Sequence, residues 1–224
     1  MFKLIDVRKS YESQVKNKKN NDYEHFRWLE NFRRWMGYRE LYHALNYHID
    51  SIKFDSVLEV GPGSGIWTKQ VIRKNPNARF ELVDISKDML EHCKINLGER
   101  KNIDYVCEDF MDYNVKDKKD LFVSIRAFRY IKNKRRFLEK VYDILDNNGN
   151  GIIVTWMPRL GKNVDGEPIF PAEFVKMLKL VGFRGVGVYP AVVRVPYFYW
   201  NRIYKKELRL PRFFVEAYLV RFRK

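Results

Sequence analysis

Residues 57–68, VLEVGPGSGIWT, decide how the rest of the chain reads. An apolar run carrying one carboxylate, Glu59, breaks into Gly61, Gly63 and Gly65 at alternate positions. A glycine-rich turn that follows a strand and opens a helix is the setting of a nucleotide-type binding loop. Glycines let the backbone turn tightly and let a ligand approach where a Cβ would block it. The spacing is not G-x-G-x-x-G, because the third glycine comes one residue early. A phosphate loop of the form G-x-x-x-x-G-K-[ST] is absent. Glu59 sits two residues before the first glycine, where it would repel a pyrophosphate and suit a positively charged ligand.

Outward from this turn the pattern is short apolar runs alternating with helical stretches. SVLEV reads as a strand, 64–74 as a helix, RFELVD as a strand and 86–97 as a helix. IDYVCED and DLFVSI are strands, and 132–146 is a helix. NGIIVTW is a strand, PAEFVKMLKLVGF a helix and RGVGVYP a strand. FFVEAYLVRF, residues 213–222, is a last strand reached without a helix, so an antiparallel placement is expected. Repeated βα units of this length predict a doubly wound, mostly parallel seven-stranded sheet with helices on both faces. Before it, residues 1–52 read as an N-terminal arm and helical cap, and residues 53–224 as the main domain of a single globular unit. KNKKNND, within 8–24, has the composition of a mobile arm or loop. Phe26, Leu29, Phe32 and Trp35–Met36 form one helical stripe, and Leu41, Leu45 and Ile49 a second, with Gly37 expected to break the helix between them.

Composition bounds the function. Apolar residues make up 46% and charged residues 32%, which describes a globular chain rather than a disordered one. No apolar run reaches the roughly 18 residues of a membrane span. The start lacks an apolar signal core, so a cytoplasmic location is expected. Cys93 and Cys107 form neither a disulfide framework nor a metal-ligand pattern, and no metal is expected. The net charge is +15, and residues 156–224, with 14 basic and 5 acidic side chains, contribute +9 of it. That asymmetry favours an anionic partner, or else describes a solvated basic face.

Glu59-Val-Gly61-Pro-Gly63-Ser-Gly65 resembles motif I of the class I S-adenosylmethionine-dependent methyltransferases, in the small-molecule, type-11-like branch. The likeness extends over roughly 54–190. It implies S-adenosyl-L-methionine as cofactor, with Glu59, Gly61, Gly63 and Gly65 around it. Asp84, at the end of FELVDIS, would hold the ribose hydroxyls, and Ile85 would pack on the adenine. Asp109 would accept from the adenine amino group, with Phe110 flanking the ring. An acid about 20 residues past the glycines also fits a nicotinamide enzyme, so Asp84 does not discriminate alone. DLFVSIRAFRYI resembles the family's motif IV. EKVYDILDNNGNGIIV resembles its E-x-x-R-V-L-K-P-G-G-x-L stretch, with NNGNG in place of K-P-G-G.

In such an enzyme the activated methyl comes with the cofactor, and the protein supplies alignment and desolvation. The sequence marks no certain catalytic group. His43, Arg126 and Tyr130 are candidates; His43, with His48 on the same helix, reads more readily as a surface or packed histidine, Arg126 also as an ion-pair residue and Tyr130 also as packing. Arg126 could pair with the cofactor carboxylate or with an anionic acceptor. The acceptor itself stays open. [DN]-P-P-[YF] is absent after the fourth strand, where Ser124-Ile125-Arg126-Ala127 stands. Neither cysteine lies in a Pro-Cys motif, and the paired glutamates of arginine methyltransferases are not evident. A small-molecule or lipid-linked substrate remains. Residues 193–212, VRVPYFYWNRIYKKELRLPR, mix aromatic and basic side chains. They fit peripheral membrane contact, stacking on single-stranded RNA, or a substrate lid. An RNA-binding or RNA-modifying methyltransferase using this basic third is the alternative function, and another adenosyl ligand in the glycine turn is a further possibility.

Overall fold

The apolar runs take their place in one seven-stranded sheet in a computed structural model, which describes residues 32–158, 166–193 and 214–224 together with Lys205 and Glu207. In chain order the elements are α1 (Phe32–Asp50), β1 (Ser56–Val60), α2 (Thr68–Lys74), β2 (Arg79–Asp84), α3 (Lys87–Leu97), β3 (Ile103–Cys107) and β4 (Lys119–Ile125). There follow a 3₁₀ turn (Phe128–Tyr130), α4 (Lys134–Ile144), β5 (Leu145–Trp156), α5 (Pro171–Val181), β6 (Arg184–Val193) and β7 (Val215–Arg223). The strand order is β3-β2-β1-β4-β5-β7-β6. Pairings from β3 through β5 are parallel, and β7 runs antiparallel to both β5 and β6. The order reverses between β1 and β4, which is where an open α/β sheet leaves a crevice beyond its strand ends.

Each face of the sheet carries its own core. On one, Leu41, Leu45 and Ile49 of α1, Val71 and Ile72 of α2, and Cys93 and Leu97 of α3 cover Val57, Leu82, Leu121 and Val123. On the other, Phe137, Leu138 and Val141 of α4 and Phe174 and Leu178 of α5 cover Leu58, Val83, Phe122 and Tyr218. Local capping sets the helix ends. Ser86 accepts from the Met89 N–H at the start of α3, Asn133 accepts from the Arg136 N–H at the start of α4, and Gly182 closes α5 in the left-handed region.

Three boundaries differ from the sequence expectation. The helix is not broken at Gly37; α1 runs through it to Asp50. A mid-helix glycine costs about 1 kcal/mol, less than is gained by burying Leu41, Leu45 and Ile49 and by setting Tyr38 against Trp67 at 5.1 Å. The helix expected from residue 64 starts at Thr68, because Gly63 and Gly65 hold the preceding turn at positive φ. β5 begins at Leu145 rather than at the apolar run. Lys119 pairs with Leu145 and Leu121 with Asn150, so residues 146–149, DNNG, are looped out within a continuing ladder. KNKKNND, Phe26, Leu29 and nearly all of 193–212 lie outside the described residues. Among the described residues no helix is long and apolar enough to cross a membrane, and no group of three or more His, Cys, Asp or Glu is placed to hold a metal.

One polar tie fastens α1 to the sheet. The Val193 N–H donates to Glu40 Oε2 at 2.7 Å. Burial, with Glu216 nearby, pushes the Glu40 carboxyl up to about 7, against the bond from Val193, which pulls it down. A carboxyl with a raised folded value favours folding while protonated, and that contribution is lost as pH rises through the folded value. The protein should therefore lose on the order of 2 kcal/mol between about pH 5 and pH 8 from this group. Glu40→Gln keeps an acceptor for Val193 and removes the ionisation. Denaturant melts of the two proteins should converge near pH 5, with the variant the more stable near pH 8; parallel pH profiles would refute the assignment.

Candidate active site

The glycine turn leaves β1 with Gly61, Gly63 and Gly65 at φ of 72°, 58° and 79°. Two of these glycines answer to the protein itself. A Cβ on Gly61 would lie 2.3 Å from the Ala127 Cβ, and one on Gly65 would lie 2.9 Å from Cys93 Sγ. The Gly61 N–H donates to the Val83 carbonyl at 2.8 Å, which ties the turn to β2. The Gly63 N–H points toward Asp84 Oδ2 at 3.4 Å, while Asp84 Oδ1 accepts from the Ser86 N–H at 3.0 Å. The Asp84 carbonyl accepts from the Glu108 N–H at 3.1 Å, so the ends of β2 and β3 form one rim.

A cleft opens along this rim. Of the residues expected at the site, Gly61, Gly63, Asp84, Ile85, Asp109, Phe110, Arg126 and Tyr130 line it together. Ile85 is 37% exposed, an apolar platform held out beside a carboxylate. Asp109 Oδ1 accepts from the Met111 N–H at 2.8 Å, which fixes the loop after β3. Phe110 is buried, its ring 5.0 Å from Phe137, and forms part of the cleft wall. Three expected residues are not in the lining. Glu59 is buried in β1, in register between Leu82 and Val123. Gly65 faces α3. His43 lies half-buried on α1, its pKa pushed down by burial and by Arg39. His48 is buried with its ring 4.1 Å from Tyr189, as a packing residue would be.

Met89, Glu108, Ala127 and Ile131 also line the cleft and were not singled out from the sequence. Met89 was visible only as a helix residue one turn after Asp84. Ala127 carries no sequence signal; its place is set by the close approach of its Cβ to Gly61. At the β4 end, Arg126 stands at φ 72° although it is not glycine. Its N–H donates to the Val154 carbonyl at 2.8 Å, and its guanidinium lies 5.2 Å from the Trp156 ring centre. Arg129 donates to the Tyr130 hydroxyl at 2.7 Å.

Residues 57–149 match the family described as "Methyltransferase domain". The chain is also similar to several curated proteins. Malonyl-[acyl-carrier protein] O-methyltransferase 1 of Ilyobacter polytropus is 36% identical over 94 residues, 42% of this chain and 35% of that protein. Ribosomal RNA small subunit methyltransferase A of Flavobacterium johnsoniae is 36% identical over 62 residues, 28% of this chain and 23% of that protein. The chain thus spans about a third or less of the length of these two relatives. Among solved structures, the N-methyltransferase NodS of Bradyrhizobium japonicum, in complex with S-adenosyl-L-homocysteine, superposes with a TM-score of 0.66 at 16% identity. That match covers 98% of this chain and 99% of the other. At that identity the likeness establishes the fold alone.

Proposed function

We propose that the chain is an S-adenosyl-L-methionine-dependent methyltransferase acting on a small or lipid-linked acceptor. The observation that carries this is the meeting of Asp84 with the Gly63 turn, beside exposed Ile85 and within one cleft that also includes Asp109. The donor set suits an adenosyl group: a carboxylate for the ribose hydroxyls, an apolar side chain for the face of the base, a second carboxylate for its amino edge, and a glycine turn without Cβ atoms for the remainder. When bound, the cofactor supplies an activated methyl on a sulfonium, with a thioether as leaving group. The chain's own part is to orient the donor through Asp84 and Asp109, to hold the acceptor in line, and to keep water out beneath Tyr130 and Ile131. The curated relatives that bear the malonyl-[acyl-carrier protein] name support an acceptor carried on a larger molecule. The RNA reading rests on 193–212, nearly all of it outside the described residues, and nothing in the described cleft favours it.

Calorimetric titration with S-adenosylhomocysteine tests the cofactor assignment. Binding of one equivalent with a Kd of about 100 μM or tighter is expected, and a flat titration would sink the proposal. Transfer of a labelled methyl from S-adenosylmethionine to a malonyl thioester or to a lipid-linked glycan would then sort the acceptors.

A further inference from the structure

The loop after β3 is built as one tight turn. The Asp112 and Tyr113 N–H groups both donate to the Asp109 carbonyl, at 3.0 and 2.9 Å, and Asp109 Oδ1 accepts from the Met111 N–H at 2.8 Å. Such a turn, like a helix end, leaves carbonyls on its far side that call for donors. Lys140 of α4 supplies them. Its Nζ donates to the Met111 carbonyl at 3.0 Å and to the Tyr113 carbonyl at 2.6 Å.

The helix explains how one lysine reaches both. Phe137 and Lys140 stand three residues apart on α4 and so share a face. Phe137 sets its ring 5.0 Å from that of Phe110, and the Lys140 ammonium lies 4.9 Å from the centre of the same Phe110 ring. One helix face thereby grips Phe110 and the two carbonyls beyond it. Burial pulls the Lys140 pKa down, Asp112, Asp109 and Glu108 act against that, and Arg136 acts with it, so the ammonium stands among the acids of the rim.

Asp109 depends on this arrangement. Phe110 is buried, but Asp109 is exposed. The loop borders the cleft through Asp109 and Phe110, and a second hollow of about 360 Å³ through Asp112 and Tyr113. The side chains of Met111 and Tyr113 rest on the core, but their packing leaves the direction of the Asp109 carboxylate to the hydrogen bonds of the turn. Bonds from an ammonium to two carbonyls are charge-assisted, about twice as strong as neutral ones, and they close the turn from its far side.

We infer that Lys140 is a positioning residue: by closing the turn of residues 109–113 it aims the Asp109 carboxylate at the amino edge of a bound adenine, and so sets the preference for an adenosyl group over other nucleosides. This rests on the methyltransferase reading and deepens it at the base-binding end of the cleft.

Calorimetry on the full chain with S-adenosylhomocysteine and with its inosyl analogue, in which a carbonyl replaces the amino group, reads that preference. The unaltered chain should bind the adenosyl compound about tenfold or more tightly than the inosyl one. Lys140→Met keeps an unbranched stem against Phe110 and removes the ammonium. It should cut the preference to about threefold or less by weakening the adenosyl compound, while the inosyl one changes by less than about threefold. Lys140→Gln keeps an N–H donor without the charge. Its preference should fall between the two, and it decides the matter if Lys140→Met does not fold; thermal unfolding checks each variant. Asp109→Ala should remove most of the preference by itself. Adding Lys140→Met to it should then leave the ratio within about twofold, because the lysine acts through the carboxylate. Equal loss of both compounds in Lys140→Met, an unchanged preference, additive losses in the double variant, or no preference in the unaltered chain would each overturn the inference. Failure of the unaltered chain to bind either compound would instead sink the methyltransferase reading beneath it.

Discussion

Asp84→Ala should weaken S-adenosylhomocysteine binding about a hundredfold or more. The carboxylate stands at the end of β2, half-buried, beside the Gly63 N–H and fixed by the Ser86 N–H. In that posture it can accept from both hydroxyls of a ribose lying along the rim. Hydrogen bonds to a charged acceptor are worth about 1.5–3 kcal/mol each, so two of them account for the loss. The side chain also steadies the turn it faces, and alanine would remove that support. Asp84→Asn separates the two effects, because the amide keeps the shape and one acceptor but loses the charge. Its affinity should fall between those of the unaltered chain and the alanine variant, with thermal stability close to the former. Calorimetry showing unchanged affinity in Asp84→Ala would take the ribose contact out of the proposal.

The sheet was legible because its strands carry unbroken apolar runs with helical spacing between them, and burial on both faces demands that pattern. The last strand could be placed antiparallel from connectivity alone. Periodicity says nothing, however, about how much a tertiary contact will overrule a local signal. Gly37 therefore read as a break, although α1 runs through it under the pull of Leu41, Leu45 and Trp67. The looped-out DNNG, residues 146–149 inside β5, was hidden for the same reason: the ladder on its near side is completed by Lys119 of another strand. The gathering of Asp84, Ile85, Asp109 and Arg126 in one cleft was readable because strand ends converge at a switch in strand order. Glu59 was read as part of an acidic collar on proximity in sequence, but a strand residue at that register faces into the sheet's own packing. Glu40 was invisible, since its partner Val193 lies far along the chain. The glycines show the deepest limit. Their spacing pointed to a ligand, yet what forbids a side chain at Gly61 is Ala127, a residue with no signature of its own.

That contact makes Gly61→Ala the most disruptive small change in the cleft. Two costs act together. The residue is at φ 72°, where an L side chain costs about 1–2 kcal/mol. Its new Cβ would also meet the Ala127 Cβ at 2.3 Å, far inside contact distance, and relief of such overpacking typically costs a further 1–3 kcal/mol. The Ala127→Gly background separates them: there Gly61→Ala should report the backbone cost alone, about 1–2 kcal/mol. In the unaltered chain Gly61→Ala should exceed it by about 1–3 kcal/mol, which for a chain of this size adds several degrees to the fall in Tm. Removing the second methyl, in Gly61→Ala with Ala127→Gly, should recover the excess and leave the backbone cost, a coupling that a double-mutant cycle measures directly. Because the turn is pinned to Val83 through the Gly61 N–H, its displacement should also drag Gly63 from Asp84 and lower S-adenosylhomocysteine affinity in step. Equal destabilisation by Gly61→Ala with and without Ala127→Gly would show that Ala127 gives way freely and that the close approach of the segment after β4 to the glycine turn does not set the shape of the cleft.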